Sequence, residues 1–225
     1  GTDYIDLYQC HVQDMYTPIE ETMRTLDDFV RAGKIRYVGV SNWGGWQLVK
    51  ANMQAHQFNM TPIVSNQIWY NLADRTAEFS IIPASRDQNV SIISWGVYAQ
   101  GFLTGRYKRG DQGPPPDTDF TLMKPGESSS WECLAVDRVW NTLEVMGSIA
   151  EREDTSVANV AMAWLLQKGT CDVALMGTSS LKRFSRNIKS IDLQISYHDM
   201  QQLDHVSNLP APYPNNMWDV FCYRE

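Results

Sequence analysis

Short apolar runs alternate with amphipathic stretches from the first residues of the chain onward. A first strand is predicted near Tyr4 to Gln9. Thr17-Pro18-Ile19-Glu20 then reads as an N-cap, a Pro at the first helical position and a Glu completing a capping box. Ile19, Met23, Leu26 and Val30 follow at helical spacing, and Gly33 is the expected stop. A second strand is predicted near Ile35 to Val40, with Trp46, Val49 and Met53 marking the next helix. A third strand near Ile63 to Gln67 leads to a helix near Asp74 to Asp87, and a fourth lies near Val90 to Trp95.

The rhythm breaks at residues 104–131, where Gly-Asp-Gln-Gly-Pro-Pro-Pro and Ser128-Ser129-Ser130 predict a long loop. Loops of that length are usually functional or mobile. Helical spacing returns with Val136, Val139, Leu143 and Met146, and Ser156 caps a helix carrying Val157, Val160, Ala161 and Trp164. A fifth strand near Val173 to Met176 runs into Gly177. Leu181, Phe184, Ile188 and Ile191 outline the helix after it. A last helix covers Tyr197 to Val206, and an extended tail covers residues 207–225, with Pro210, Pro212 and Pro214. The 225 residues are read as one domain. Five strand–helix units imply an α/β fold with parallel strands. Five strands complete a doubly wound sheet, whereas a (β/α)8 barrel needs eight, and periodicity alone leaves both open.

Charge narrows the function classes. Nineteen Lys and Arg face 26 Asp and Glu, a net charge of -7 without a basic block, so nucleic acid is not an expected partner. The longest clearly apolar run, Val160 to Leu166, is too short to span a bilayer. Cys10, Cys133, Cys171 and Cys222 form no CxxC pair and read as reduced thiols of a cytoplasmic protein, with no metal expected. The sequence opens at Gly1 rather than Met, as expected of a processed or cloned chain or of one with residues missing upstream. With no signal peptide visible, Asn59-Met60-Thr61 and Asn89-Val90-Ser91 are taken as chance matches to the glycosylation pattern.

In either parallel architecture, ligands bind beyond the carboxyl ends of the strands. The residues there are His11, Ser41-Asn42-Trp43, Gln67 with Trp69-Tyr70-Asn71, Trp95-Gly96-Val97-Tyr98 and Gly177-Thr178-Ser179-Ser180. Amide, hydroxyl and aromatic groups dominate, which suits a planar polar ring and hydride chemistry better than hydrolysis. No G-x-S-x-G, His-x-x-x-His or strand-following G-x-G-x-x-G is present. A lone His at a strand end has a plain structural reading as well. Gly-Thr-Ser-Ser before a helix serves as an N-cap or as a phosphate site.

These segments, in this order, resemble the aldo-keto reductases. Residues Gly1 to His11 resemble the family's fourth strand with its active-site histidine, and Gly33 to Trp43 its fifth. Ser65 to Leu72 resemble the sixth, and Trp95 with Gly101-Phe102-Leu103-Thr104-Gly105-Arg106-Tyr107 the seventh and its loop. Gly177 to Asn187 resemble the eighth strand and cofactor helix. The resemblance tips the fold toward a (β/α)8 barrel of which only strands four to eight are present. Its nearest branch holds aryl-alcohol-dehydrogenase-like proteins and potassium-channel β subunits.

The resemblance implies an NADPH-dependent reduction of an aldehyde or ketone, an aryl carbonyl among the candidates. Ser41, Asn42 and Gln67 would hold the nicotinamide carboxamide, and Trp95 would lie near the nicotinamide. Arg106 and the backbone of Gly101 to Leu103 would face the phosphates. Gly177, Ser179, Arg183, Arg186 and Asn187 would surround the adenosine end, and a bidentate guanidinium suits a 2′-phosphate. His11 would orient the substrate carbonyl. The family's first three strands, which carry its catalytic Asp, Tyr and Lys, have no counterpart here, so the chain alone is expected to be inactive or much impaired. Gly96-Val97-Tyr98 stands where Ser-Pro-Leu is common, and Arg186 where a Glu is common. The competing reading is a non-catalytic relative or regulatory binding subunit. A third gives Tyr98 or His11 the role of acid in another reaction. Open parallel edges invite self-association or cover by a partner segment.

Overall fold

The computed structural model describes residues 1–113 and 130–217. Its strands β1 (Ile5–Cys10), β2 (Ile35–Ser41), β3 (Ile63–Trp69), β4 (Ser91–Trp95) and β5 (Val173–Ala174) follow one another in the sheet in chain order. β1 runs parallel to β2 and β2 to β3. A doubly wound sheet reverses its strand order part-way, and this one does not, so the order is that of a barrel wall. The helices are α1 (Ile19–Arg31), α2 (Gly45–Phe58), α3 (Ile81–Asp87), α4 (Trp131–Leu134), α5 (Asp137–Arg152), α6 (Val157–Gln167), α7 (Leu181–Asn187) and α8 (Tyr197–Val206).

The described residues fall into two compact units. The first comprises Gly1–Ile68, Thr76–Ile93 and the described residues from Pro212 on. Its core gathers Ile19, Met23 and Leu26 of α1, Val38 and Val40 of β2, and Leu48, Ala51 and Ala55 of α2. The spacing of the α1 residues puts them on one helical stripe, which β2 receives. Helix α1 ends as expected: Gly33 is left-handed (φ 70°), Gly33 N–H donates to Val30 O and Lys34 N–H to Phe29 O. This is the paired closure that glycine permits. Its start differs from expectation. The Thr17 hydroxyl donates to Asp14 instead (2.6 Å), Pro18 takes the cap position, and no capping box forms. Asp27 ties α1 to the segment before β3, accepting from Thr61 N–H and Oγ1 (both 2.8 Å) and from Arg31 Nε (2.6 Å).

Two helices of this unit correct the sequence reading. Trp46 and Met53 of α2 are exposed, and the buried face is Leu48, Ala51, Asn52 and Ala55. Asn52 is there because its amide bonds both ways with the Ile63 backbone (2.8 and 3.2 Å), which satisfies a buried polar group. The helix expected from Asp74 to Asp87 begins later. Asn71 and Asp74 exchange backbone bonds as a turn, Thr76–Phe79 is a 3-10 turn, and α3 starts at Ile81. The sheet face opposite α1 and α2 carries Ile5, Leu7 and Tyr37, all exposed.

The second unit comprises Trp69–Arg75 and the described residues of Ser94–Ala211. Helix α6 is buried along almost its whole length, from Ala158 to Leu165. Its N-cap is the expected Ser156, accepting from Asn159 N–H (3.2 Å). Phe102 packs against Tyr107, Trp131 and Trp140 with ring centroids 4.8–5.4 Å apart. Helix α8 has its expected limits, with Ser196 as cap. The fifth strand is shorter than predicted, ending at Ala174. Leu181, Phe184, Ile188 and Ile191 are all exposed, so their stripe is not a core face of this chain. In the segment read as a long loop, residues 114–129 lie outside the described residues, and α4 begins at Trp131. Arg109 is anchored to α5 through Asp137, Asn141 (2.7 Å) and Glu144 (3.2 Å). The tail is not extended throughout: Asn216 N–H donates to Pro212 O and Met217 N–H to Pro214 O. Residues 218–225 lie outside the described set.

Candidate functional site

In the first unit, the ends of β1, β2 and β3 carry a connected set of polar side chains. Ser41 is the last residue of β2 and is buried. Its hydroxyl donates to Gln67 O (2.9 Å) and accepts from Asn42 Nδ2 (3.1 Å). Asn42 turns the chain at φ 56°, a conformation that Asn tolerates better than most residues. That turn directs Asn42 N–H to Gln67 O (2.9 Å) and Nδ2 to His11 O (3.2 Å). Gln67 Nε2 donates to Gln9 Oε1 (3.1 Å). The structure thus brings His11, Ser41, Asn42 and Gln67 together. His11 enters through its backbone. Its imidazole is exposed and forms no hydrogen bond among the described residues.

Gln9 and Gly39 were not singled out from the sequence. Gln9 sits opposite Gly39, and Gly39 opposite Ser65, across three strands. The visible signal was a polar residue two before His11 on the face that carries Ile5 and Leu7.

In the second unit, Trp95 closes β4 and meets Trp69 edge to face, centroids 4.8 Å apart. Trp69 Nε1 donates to Asp74 (3.1 Å), which fixes that ring, another feature the sequence did not flag. The turn after β4 is an uncommon run of left-handed residues: Gly96, Ala99, Gln100 and Gly101 all have positive φ. Such a run persists only where surrounding contacts hold it. Asn71 Nδ2 donates to Gly96 O (3.0 Å), and Ser94 Oγ to Tyr70 O (2.7 Å). Gly101 N–H and Leu103 N–H both donate to Tyr98 O (2.9 and 3.0 Å), so these two amides are engaged within the turn. The Leu103 side chain is fully buried. Arg106 is exposed, its guanidinium 5.2 Å from the Tyr107 ring centroid and 3.7 Å from where a Gly101 Cβ would stand.

Gly177 is exposed, with nothing near its Cβ position. Ser180 caps α7, accepting from Arg183 N–H (3.4 Å). Arg183 Nη2 donates to Ser179 Oγ (2.8 Å), and Arg186 Nε to Asn187 Oδ1 (3.1 Å). Both guanidinium groups are exposed, and Asn187 is buried. Burial pushes the Tyr98 phenol up to about 12, opposed in part by Asn187 and Arg186. Its enclosed hydroxyl makes no hydrogen bond of good geometry. A general acid works best with a pKa near the working pH, so Tyr98 is poorly matched to that role. Burial, and behind it the Asp172 charge, pushes the Cys171 thiol up to about 11, and burial raises Cys10 as well. Neither suits a thiolate nucleophile. Among the described residues there is no cluster of three metal-ligating side chains and no helix long and apolar enough to cross a membrane.

The sequence profile of the Aldo/keto reductase family matches residues 1–208. The chain belongs to that family. Its fold is accordingly part of a (β/α)8 barrel, five parallel strands in sequential order with their helices. An uncharacterized oxidoreductase of Bacillus subtilis, YrpG, is 29% identical over 94% of this chain and 60% of its own length. An aryl-alcohol dehydrogenase of Pestalotiopsis microspora is 27% identical over 95% of the chain and 52% of its own. Versiconal hemiacetal acetate reductase of Aspergillus parasiticus is 29% identical over 89% of the chain and 57% of its own. This aldo/keto reductase chain thus spans a little over half the length of these relatives.

Proposed function

We propose that the chain carries the cofactor-binding part of an NADPH-dependent oxidoreductase that reduces an aldehyde or ketone, an aryl carbonyl among them, in the cytoplasm. The observation that carries this reading is the hydrogen-bonded set of Ser41, Asn42 and Gln67 at the strand ends. A nicotinamide carboxamide carries an NH2 that needs an acceptor, and this set holds the Gln67 amide where it can offer one. The first unit fits that group: Gln67 Oε1 accepts nothing among the described residues and is not enclosed. In the second unit, Trp95 offers a ring held by Trp69, and Arg106 an exposed guanidinium. Arg183 and Arg186 offer two more, suited to a 2′-phosphate, with Ser179 and Asn187 as their anchors. The names of the relatives, which include a dehydrogenase and a reductase, agree with redox chemistry. The three described cysteines are free, which fits a reducing compartment.

NADPH, when bound, supplies the hydride. The chain's part is to orient the carboxamide through Ser41, Asn42 and Gln67 and to offer the His11 imidazole to the substrate oxygen. The second reading is a binding subunit without turnover, which holds the nucleotide through the same strand-end side chains. A titration of the chain with NADPH, followed by tryptophan fluorescence and compared with NADH, tests the reading. Saturable, NADPH-selective quenching that is lost in Trp95→Phe is expected. A folded chain that binds neither nucleotide refutes it. Turnover of an aromatic aldehyde that falls in His11→Ala separates reductase from binding subunit.

A further inference from the structure

We propose that Gln9 is a positioning residue for the nicotinamide carboxamide, acting through Gln67 across the gap that Gly39 leaves in the sheet. The inference rests on the reading that Gln67 meets the carboxamide. β1 and β3 are not neighbours; β2 lies between them. Side chains on such strands normally reach across only where the intervening residue leaves room. At Gly39 it does. A Cβ there would lie 2.5 Å from Ser65 Oγ and 2.8 Å from Gln9 Cγ, so the stem of Gln9 and the Ser65 hydroxyl occupy the space any side chain would fill. The φ of Gly39 is ordinary, so glycine is needed there for space rather than for backbone freedom. The register supports the reach. β2 pairs Val38 with Ile63 and Gly39 with Ser65, so β3 bulges by one residue and brings Ser65 opposite Gly39 and Gln67 opposite Ser41.

The consequence is a direction. A glutamine amide has two faces of opposite character, and nothing local tells Gln67 which to present. Because its Nε2 donates to Gln9 Oε1 (3.1 Å), its Oε1 is the atom left to a ligand. A carboxamide NH2 is then recognised as donor by Gln67 Oε1. Gln9 also carries a buried Nε2 with no partner, and Ser65 a buried Oγ with none. A purely structural polar pair would more ordinarily be fully satisfied, because unpaired buried donors are costly.

The test pairs four variants with two ligands. Wild type, Gln9→Leu, Gln9→Glu, Gly39→Ala and Gln67→Ala are titrated with NADPH and with the reduced 3-acetylpyridine analogue, in which a methyl ketone replaces the carboxamide. Circular dichroism checks the fold of each. Wild type should bind NADPH roughly five- to tenfold more tightly than the analogue, the worth of about one hydrogen bond. Gln9→Leu and Gly39→Ala should lose that preference by weakening NADPH alone, as Gln67→Ala does. Gln9→Glu, whose carboxylate still accepts from Gln67 Nε2, should keep it. If Gln9→Leu keeps the preference while Gln67→Ala loses it, the positioning role is overturned and the reading of Gln67 survives. Equal weakening of both ligands in a folded Gln9→Leu overturns it too, since that is a general packing effect. A wild type that shows no preference for the carboxamide overturns both.

Discussion

Gly96→Ala is the substitution whose cost the structure defines most sharply. Gly96 has φ 69°, and a Cβ built there would stand 2.2 Å from Cζ3 and 2.3 Å from Cε3 of Trp69. The left-handed backbone alone costs a non-glycine residue about 1–2 kcal/mol. The steric conflict adds about 1–3 kcal/mol if Trp69 yields only partly. Trp69 cannot yield freely, because its Nε1 is bonded to Asp74 and its ring abuts Trp95. If it swings away, those two contacts are lost instead, at about the same total. The expected loss is therefore about 2–5 kcal/mol. Equilibrium urea unfolding read by near-ultraviolet circular dichroism measures it and also reports the Trp69–Trp95 pair. Gly177→Ala is the matched control: no positive φ, open space at its Cβ, and a change expected within about 0.5 kcal/mol. A Gly96→Ala variant that loses less than about 1 kcal/mol, with an unchanged aromatic spectrum, would refute the argument that Trp69 is a fixed wall.

Asp27→Asn should destabilise by about 1 kcal/mol at neutral pH, with the gap closing in acid. Burial raises the Asp27 pKa, but the bonds from Arg31 and Thr61 outweigh it and leave the folded value below the usual carboxylate range. Its contribution is thus present above the unfolded pKa near 4 and lost as pH falls through the folded one; parallel acid-limb unfolding curves for the two proteins would count against it. Ser156→Ala should cost about 1 kcal/mol by removing the α6 cap, measured by thermal unfolding. In a spectrophotometric titration, Tyr98 should stay protonated through pH 11, and Tyr98→Phe should remove one late-ionising tyrosine from the curve. A curve unchanged by that substitution would place the enclosed phenol elsewhere.

Hydrophobic spacing located the strands of the first unit to within about two residues, because β2 and β3 are buried and bounded by turn residues. Spacing could not give the strand order that separates a barrel wall from a doubly wound sheet. It misjudged which face of α2 is buried, because small residues such as Ala51 and Ala55 pack inward while Trp46 and Met53 stay out. The apolar stripe of α7 misled in the opposite sense: Leu181 and Phe184 are spaced like core residues, yet face solvent in this chain. At the candidate site, Ser41, Asn42 and Gln67 could be named because strand ends are where parallel folds place ligands. Gln9 and Gly39 could not, because their link depends on a one-residue bulge and a missing side chain, neither of which leaves a periodic trace.

Helix α6 has a consequence for how this chain and its kin drift apart. With every position from Ala158 to Leu165 buried, Ala158, Ala161 and Ala163 among them, few replacements there keep the volume unchanged. Folding alone would hold that segment nearly still over long divergence, whatever the protein's chemistry. Agreement there between two distant chains would record shared architecture. Agreement at Ser179 and Arg183, exposed and free to vary as far as folding goes, would instead record a shared ligand.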